Sequence, residues 1–288
     1  MVQILLGFLI ILLAYYAFFW LKDLLLHKAD LKKGNIVTSG LIGLVADFLD
    51  TLGIGSFAIT VVLLNATKSL KNERLLPGTL NVGHTIPILV EAFIFTATVK
   101  VAPLTLFSLV ISAVIGAVIG AKIVKKLPNQ KVQLTMGVAL FLTTILMTLK
   151  QLKMLELLGQ GNKAIGLTGC ALLVAIFVNF ILGALMTAGV GLYAPCMAMV
   201  YMLGLSPIVV FPIMMASCAG LMPVASVEFI KVQDYSRTTS VGIAIGGSIG
   251  VIIATTLVKS LPLTVLTWII IVIVLYTSIT YLKKGLLK

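Results

Sequence analysis

Two glycine-rich points in apolar surroundings, at 53–55 and 189–191, are the part of this sequence best suited to bind a ligand. Glycine allows backbone dihedrals that interrupt a helix, and the helix that follows an interruption begins with unpaired amides. These amides and the helix dipole favour an anion. The alternative is that the glycines only allow helices to pack closely. The predicted anion site comprises Gly53, Ile54, Gly55, Ser56, Phe57, Gly189, Val190, Gly191 and Tyr193.

Acidic side chains near the first glycine point could exchange protons. Asp47 and Asp50 lie three residues apart and therefore share one helix face, and Glu91 lies well inside a later apolar segment. Acids inside a membrane are energetically costly and usually serve a function. We predict that these three carboxyl groups carry a coupling proton or adjust the release of an anion. For Asp47 and Asp50 the alternative is a short polar turn nearer the membrane surface.

A polar, glycine-rich patch at 77–87 opens the following apolar segment and adds candidate ligands. His84 could bind an anion or a proton, because histidine titrates near neutral pH, although a lone histidine is also common in packing. Asn81 could donate a hydrogen bond, and Ser217 stands at the matching position (81 + 136) in the second half. Cys196 could contact a soft, sulfur-bearing ligand or simply fill space as a small hydrophobic residue.

The composition of the chain indicates a membrane protein. Charged residues make up 10 % of the sequence, whereas soluble domains have about 25 %. Hydrophobic residues make up 60 %, and the mean hydropathy is +1.18. The net charge of +12 comes from short loops between apolar segments, which is typical of a protein in a lipid bilayer and argues against nucleic acid as a partner.

An internal repeat relates the two halves of the chain. Residues 51–58 match residues 187–194 at an offset of 136 (187 − 51), and the same offset pairs Pro87 with Pro223. Gly116 and Gly120, like Gly242, Gly246 and Gly250, have the spacing of helix-packing stripes. We therefore predict an all-α polytopic membrane protein with one N-terminal span and two inverted repeats, each containing a glycine-broken helical hairpin and three further spans.

The charged residues predict how these parts are arranged. With 22–33 placed inside, sixteen of the 21 Lys and Arg residues fall on the inner side and five on the outer side. This puts the N-terminus outside and the C-terminus in the cytoplasm, and we expect the first segment to be a retained span and not a signal peptide. The predicted parts are an N-terminal span with a basic loop (1–35), the first repeat (36–150), an external connection (151–163) and the second repeat (164–288).

Three stretches of the sequence resemble the sulfite exporter TauE/SafE family of membrane permeases. They are the run Asp50–Ala58, the run Pro77–His84 and the second glycine hairpin, which is closed by Leu205-Ser206-Pro207. The resemblance implies transport of small anions, often containing sulfur, such as sulfite, thiosulfate, sulfoacetate or related organosulfonates. This chain has Gly-Ile-Gly-Ser-Phe where many members have a longer glycine run followed by proline, and Asp50 and His84 mark a subgroup.

Three classes of function are compatible with these patterns. A secondary transporter for a small anion would work by alternating access around a midplane site between the two hairpins. A channel or an assembly partner of a membrane complex could share this architecture. An intramembrane enzyme would need a clustered nucleophile and base, but the sequence has only two histidines and no His-Glu-x-x-His motif. We therefore expect no enzyme, no metal site and no cofactor, and a homo-oligomer remains open.

Overall fold

The apolar segments form helices in the computed structural model, which describes residues 2–32, 34–70, 72–95, 101–257 and 264–286. The described residues contain twelve α-helices and no β-strand. In chain order these are α1 (Val2–Leu26), α2 (Ile36–Thr51), α3 (Ser56–Ala66), α4 (Leu76–Phe95), α5 (Pro103–Val124), α6 (Asn129–Gln151), α7 (Met154–Leu158), α8 (Gly169–Met186), α9 (Tyr193–Met202), α10 (Pro207–Lys231), α11 (Arg237–Leu257) and α12 (Thr264–Leu286).

Eight of the helices in the described part of the chain are long and apolar enough to cross a membrane, namely α1, α4, α5, α6, α8, α10, α11 and α12. A span needs about 20 apolar residues. The helices α2, α3 and α9 have 16, 11 and 10 residues, because each of them ends or begins at one of the glycine points. The predicted all-α polytopic membrane fold is confirmed.

The first helix extends to Leu26, past the charged residues Lys22 and Asp23. It can include charged residues because Asp23 is paired inside the protein. The Arg237 guanidinium lies 2.7 Å (Nε) and 2.9 Å (Nη2) from the Asp23 carboxylate, and the Tyr235 hydroxyl donates to the same group at 2.5 Å. These bonds fix the end of α1 against the start of α11.

The helices α4 and α10 form the centre of the bundle. In their spanning windows 72 % and 89 % of the residues are buried, against 22 % in α1. The two helices run in opposite directions, since Gly78 packs against Asp234 after the end of α10, whereas Thr85 Oγ1 lies 2.9 Å from Ser226 Oγ within it. Functional groups on α4 are therefore shielded from lipid.

Glycine stripes bring α11 close to α2 and α5 close to α8. A Cβ atom added at Gly246 would overlap the backbone carbonyl of Gly40, and one added at Gly116 would overlap that of Phe180. Small residues allow helix backbones to approach this closely. The predicted packing role of these glycines is confirmed for Gly242, Gly246 and Gly250 in α11 and for Gly116 and Gly120 in α5.

Contacts between residues 36–150 and 164–288 occur in matching pairs. The helix α2 packs on α11 while α8 packs on α5, and α3 contacts α12 while α9 contacts α6. The match extends to single residues: Leu44 contacts Gly250 and Phe180 contacts Gly116, where 44 + 136 = 180 and 116 + 134 = 250. The first helix of each hairpin thus packs against the other half of the molecule.

Ion pairs between the two halves lie at one end of the bundle. Their basic residues belong to the group that the charge count places on the inner side. Five lysines of the charge count lie outside the described residues, namely Lys33, Lys71 and Lys288 of the inner group and Lys100 and Lys259 of the outer group. The ion pairs are Lys125 with Glu228 (2.7 Å), Arg74 with Asp234 (3.3 Å) and Lys284 with Glu73.

Candidate functional site

The first glycine point ends α2 with a left-handed glycine. Gly53 has a φ of 88°, its amide donates to the carbonyl of Asp50 (2.7 Å), and the amide of Ile54 donates to that of Leu49 (3.0 Å). This pair of bonds is a Schellman cap, which favours glycine because a Cβ atom is strained at positive φ. The chain turns again at Gly55, with a φ of 97°, and α3 begins at the next residue.

The second glycine point ends α8 with the same hydrogen bonds 136 residues later. Gly189 has a φ of 103°, its amide donates to Met186 (3.0 Å), and the amide of Val190 donates to Leu185 (3.2 Å). The helix α9 then begins at Tyr193, whose side chain lies outside the described part of the structure. Both glycine points therefore end the preceding helix with the same cap, and each is followed by the N-terminus of a short helix.

The two glycine points border one cavity of about 70 Å³, measured as the space open to the centre of a water molecule. One water needs about 10–15 Å³ on this scale, so the cavity has room for a small polyatomic ion. A Cβ atom added at Gly55 or Gly191 would meet no atom within 4 Å, so both glycines face open space. The predicted residues that line the cavity are Gly53, Ile54, Gly55, Ser56, Phe57, Gly191 and Asp50.

Charged side chains of opposite sign meet at the cavity. Lys150, in the last turn of α6, donates a hydrogen bond to the carbonyl of Gly53. The Asp50 carboxylate is 2 % exposed and accepts a hydrogen bond from the Ser56 hydroxyl at 2.7 Å. The ammonium group can attract an anion, whereas the carboxylate repels one unless it is protonated.

Asp47 and His84 lie behind the cavity wall as a buried pair. Nδ1 of His84 lies 2.8 Å from Oδ1 of Asp47, and Nε2 of His84 lies 2.9 Å from the Thr60 hydroxyl. Neither Asp47 nor His84 has exposed surface, and the Phe57 ring, which lines the cavity, lies 5.5 Å from the imidazole. Asp47 is accommodated because Gly247 of α11 has no side chain to occupy this space. The arrangement can hold a proton between Asp47 and His84.

Asn81 and Ser217, two other predicted ligands, do not line the cavity and instead form hydrogen bonds with α8 or its C-terminal end. Asn81 donates to the carbonyls of Pro77 (2.8 Å) and Thr187 (3.4 Å), and so connects α4 to the end of α8. Ser217 accepts a hydrogen bond from Asn179 at 3.2 Å. Four further predicted residues also lie outside the cavity lining, namely Gly189, Val190, Cys196 and Glu91.

Several residues of the cavity were not predicted from the sequence. Lys150 counts as a loop residue on the outer side because it follows an apolar segment, yet it belongs to the last turn of α6. Met186 and Leu192 also line the cavity, and they stand 136 residues after Asp50 and Ser56. The offset of the repeat was the signal that could have found this second pair.

The sequence model of one protein family, described as sulfite exporter TauE/SafE, matches residues 1–147, which is just over half of the 288 residues. The matched region contains the first glycine point, the buried pair of Asp47 with His84, and Asp50. Lys150 and the second glycine point lie beyond it. No curated protein and no solved structure matches the chain.

Proposed function

This chain belongs to the sulfite exporter TauE/SafE family, a family of membrane transporters and not of enzymes, and from that premise we propose that it carries a small sulfur-containing anion across the membrane. The observation that carries this proposal is the cavity between the two glycine points, because equivalent residues of both halves line it. These pairs are Gly55 with Gly191, Asp50 with Met186 and Ser56 with Leu192, each at an offset of 136.

The N-termini of α3 and α9 give the cavity its affinity for an anion. Residues 55–58 at the start of α3 and residues 191–192 before α9 border the open space. The first amides of a helix lack intrahelical partners, and the helix dipole adds a partial positive charge. Lys150 adds a full positive charge at the same place. The proposed site therefore contains Lys150 in addition to residues that the sequence predicted as ligands.

The two halves act as inverted repeats that rock about the cavity. Three observations support this: the paired packing of α2 on α11 and α8 on α5, the opposite directions of the equivalent helices α4 and α10, and the shared hydrogen bonds at the glycine points. Inverted repeats with discontinuous helices at their interface are typical of secondary transporters that work by alternating access. Residues 36–150 and 164–288 are the proposed rocking units.

We propose that Asp50 carries the coupling proton. The buried Asp47–His84 pair behind the cavity wall is a second place where this proton can be held. Asp50 faces the cavity and Lys150, so its charge changes the potential felt by the anion. Neutralisation by a proton would favour anion entry, and ionisation would favour release. Glu91 is also fully buried, in the central helix α4, and we retain it as a third proton-coupling residue.

The membrane potential fixes the direction of uncoupled transport. We place the N-terminus outside and the C-terminus in the cytoplasm of a cell membrane, from the excess of lysine and arginine on one side. An inside-negative potential favours the export of an anion by about 2.3 kcal/mol per charge per 100 mV. At equal concentrations on the two sides, export of a monoanion therefore needs no further coupling, whereas import requires protons or another ion.

The test is flux into proteoliposomes that contain the purified protein, with labelled sulfite, thiosulfate and a small organosulfonate. Chloride and an uncharged sugar serve as controls. We expect saturable flux of at least one sulfur anion, and its loss in Gly191→Leu, because this side chain would fill the cavity without strain from a positive φ. Gly7→Leu is the matched control, since a Cβ atom at Gly7 in α1 also meets no atom within 4 Å.

Two results would contradict the proposal. Folded protein that moves none of these anions would exclude a sulfur-anion transporter. Flux that rises linearly with concentration would favour a channel with the same architecture.

A further inference from the structure

The walls of the cavity differ in chemistry. The polar side chains in the cavity lining come from α2, α3 and α6 of the first half, and they are Asp50, Ser56, Thr143 and Lys150. The second half contributes four sulfur-bearing side chains from α8, α9 and α10, which we call the sulfur wall: Met186, Met197, Met214 and Cys218. A fifth, Met147, belongs to α6 and shares the helix face of Thr143 and Lys150.

The asymmetry arises at equivalent positions of the two halves. Met186 and Leu192 occupy the places in the second half that Asp50 and Ser56 occupy in the first, at an offset of 136. Where the first half offers a carboxylate bonded to a hydroxyl, the second offers a thioether beside a leucine. A substrate in the cavity therefore meets two unlike surfaces at once.

The sulfur wall offers little to a hard oxyanion. A thioether has no hydrogen to donate, and a thiol is a weak donor. Among the described contacts, the Cys218 thiol already points its hydrogen toward Met186, with the two sulfur atoms 3.9 Å apart. An anion with oxygen atoms on all sides would lose water at this wall without regaining hydrogen bonds, which is costly. Sulfur is polarisable, so the same wall favours a soft, weakly hydrated group.

We propose that the sulfur wall determines specificity and selects an anion with an oxyanion head at one end and a soft terminal sulfur at the other. This inference rests on the proposed function and narrows its substrate class. The head faces Lys150, Ser56 and the start of α3, and the soft end faces Met186 and Cys218. Thiosulfate is the probe with this chemistry, sulfate is the hard oxyanion, and methanesulfonate has an apolar end that is not soft.

The experiment measures how well unlabelled sulfate, sulfite and methanesulfonate compete with labelled thiosulfate for uptake into proteoliposomes. We expect thiosulfate to be preferred over sulfate by at least about tenfold, which corresponds to about 1.4 kcal/mol. Sulfate that competes as well as thiosulfate would overturn the inference. Methanesulfonate that competes equally well would also overturn it, since the wall would then select only for an apolar end.

Two variants separate selectivity from folding. Cys218→Ser replaces the thiol with a strong donor, and we expect the preference for thiosulfate over sulfate to fall several-fold. Met186→Leu removes the sulfur but keeps an apolar side chain, and should reduce the preference for thiosulfate over methanesulfonate. Matched controls are Cys170→Ser, at an exposed cysteine outside the cavity, and Met202→Leu, at a methionine that is 74 % exposed.

The ratio of the fluxes of different anions tests the specificity role, whereas the presence of saturable flux tests the proposed function. A variant that is partly unfolded loses the flux of all anions equally and leaves their ratio unchanged. This result would indicate a purely structural role of the substituted residue. Saturable anion flux whose selectivity is insensitive to both substitutions would overturn the specificity role alone. The absence of any saturable flux in the unaltered protein would instead contradict the proposed function itself.

Discussion

At the scale of single residues, Asp50 is the acidic group that lines the cavity together with Lys150. Asp50→Asn keeps the size of the side chain and an oxygen that accepts from Ser56, but it cannot bind and release a proton. We therefore expect the variant to retain flux down an anion gradient and to lose accumulation driven by a pH gradient. Proteoliposome uptake with and without an imposed pH gradient measures both quantities.

The role of Asp50 follows from comparing the downhill flux with the pH-driven accumulation in Asp50→Asn. Loss of both would indicate that Asp50 has a structural role. Retention of both would show that the coupling proton binds elsewhere, and Asp47→Asn and Glu91→Gln would be the next variants to compare.

In the proposed site, Lys150 supplies the positive charge that attracts the anion to the cavity. We expect Lys150→Gln to raise the half-saturating anion concentration by about 10–100-fold, because a hydrogen bond to a charged group contributes about 1.5–3 kcal/mol. Concentration-dependent initial rates measure the effect. Lys153→Gln is the control, since this exposed lysine lies three residues further on and outside the cavity. Equal effects of the two substitutions would assign Lys150 a general electrostatic role.

The residue scale also separates what sequence can reveal from what it cannot. The glycine points could be predicted because a turn with positive φ favours glycine. The internal repeat shows the same glycine spacing in both halves of the sequence. The pairing of Asp47 with His84 was not, since it depends on how α2 and α4 pack. Lys150 escaped prediction because its distance from Gly53 in the chain is 97 residues (150 − 53), and only the folded bundle brings them together.

At the scale of helices, glycine contacts hold the two halves together. A Cβ atom at Gly246 would overlap the carbonyl of Gly40, so we expect Gly246→Ala to lower the free energy of unfolding by about 1–3 kcal/mol. Gly116→Ala should act similarly, because Gly116 makes the corresponding contact between α5 and α8. Thermal unfolding of the purified protein in detergent measures the effect. Gly7→Ala is the control, and an equal loss there would show that the close contacts are not responsible.

Hydropathy predicts the helices well and their ends less well. Most apolar segments became helices, because lipid requires every backbone amide to be bonded within the segment. The end of α1 at Leu26 depends on the partner that Arg237 provides for Asp23, and such a partner is invisible in a local window. The short helix α7, at Met154–Leu158 in the predicted external connection, is likewise too short for a hydropathy signal.

At the scale of the whole molecule, the proposed inverted arrangement predicts that one end of the bundle opens as the other closes. The ion pair of Lys125 with Glu228 joins the two proposed rocking units and lies at the end that the charge count places inside. Its partners are only 16 % and 14 % exposed, so the pair is better shielded from solvent than a surface ion pair. Separation of the halves at this end would have to break it.

Removal of this ion pair should therefore favour the conformation that is open at that end. In a Cys170→Ser, Cys196→Ser background, we expect Glu228→Gln to increase several-fold the rate at which Cys218 in the cavity reacts with a membrane-impermeant thiol reagent added from that side. The exchange Lys125→Glu with Glu228→Lys should restore the slow rate, because it reverses the charges and keeps the pair. Reaction rates that respond to neither change would mean that the halves do not separate here, and accessibility equal from both sides would favour a channel over alternating access.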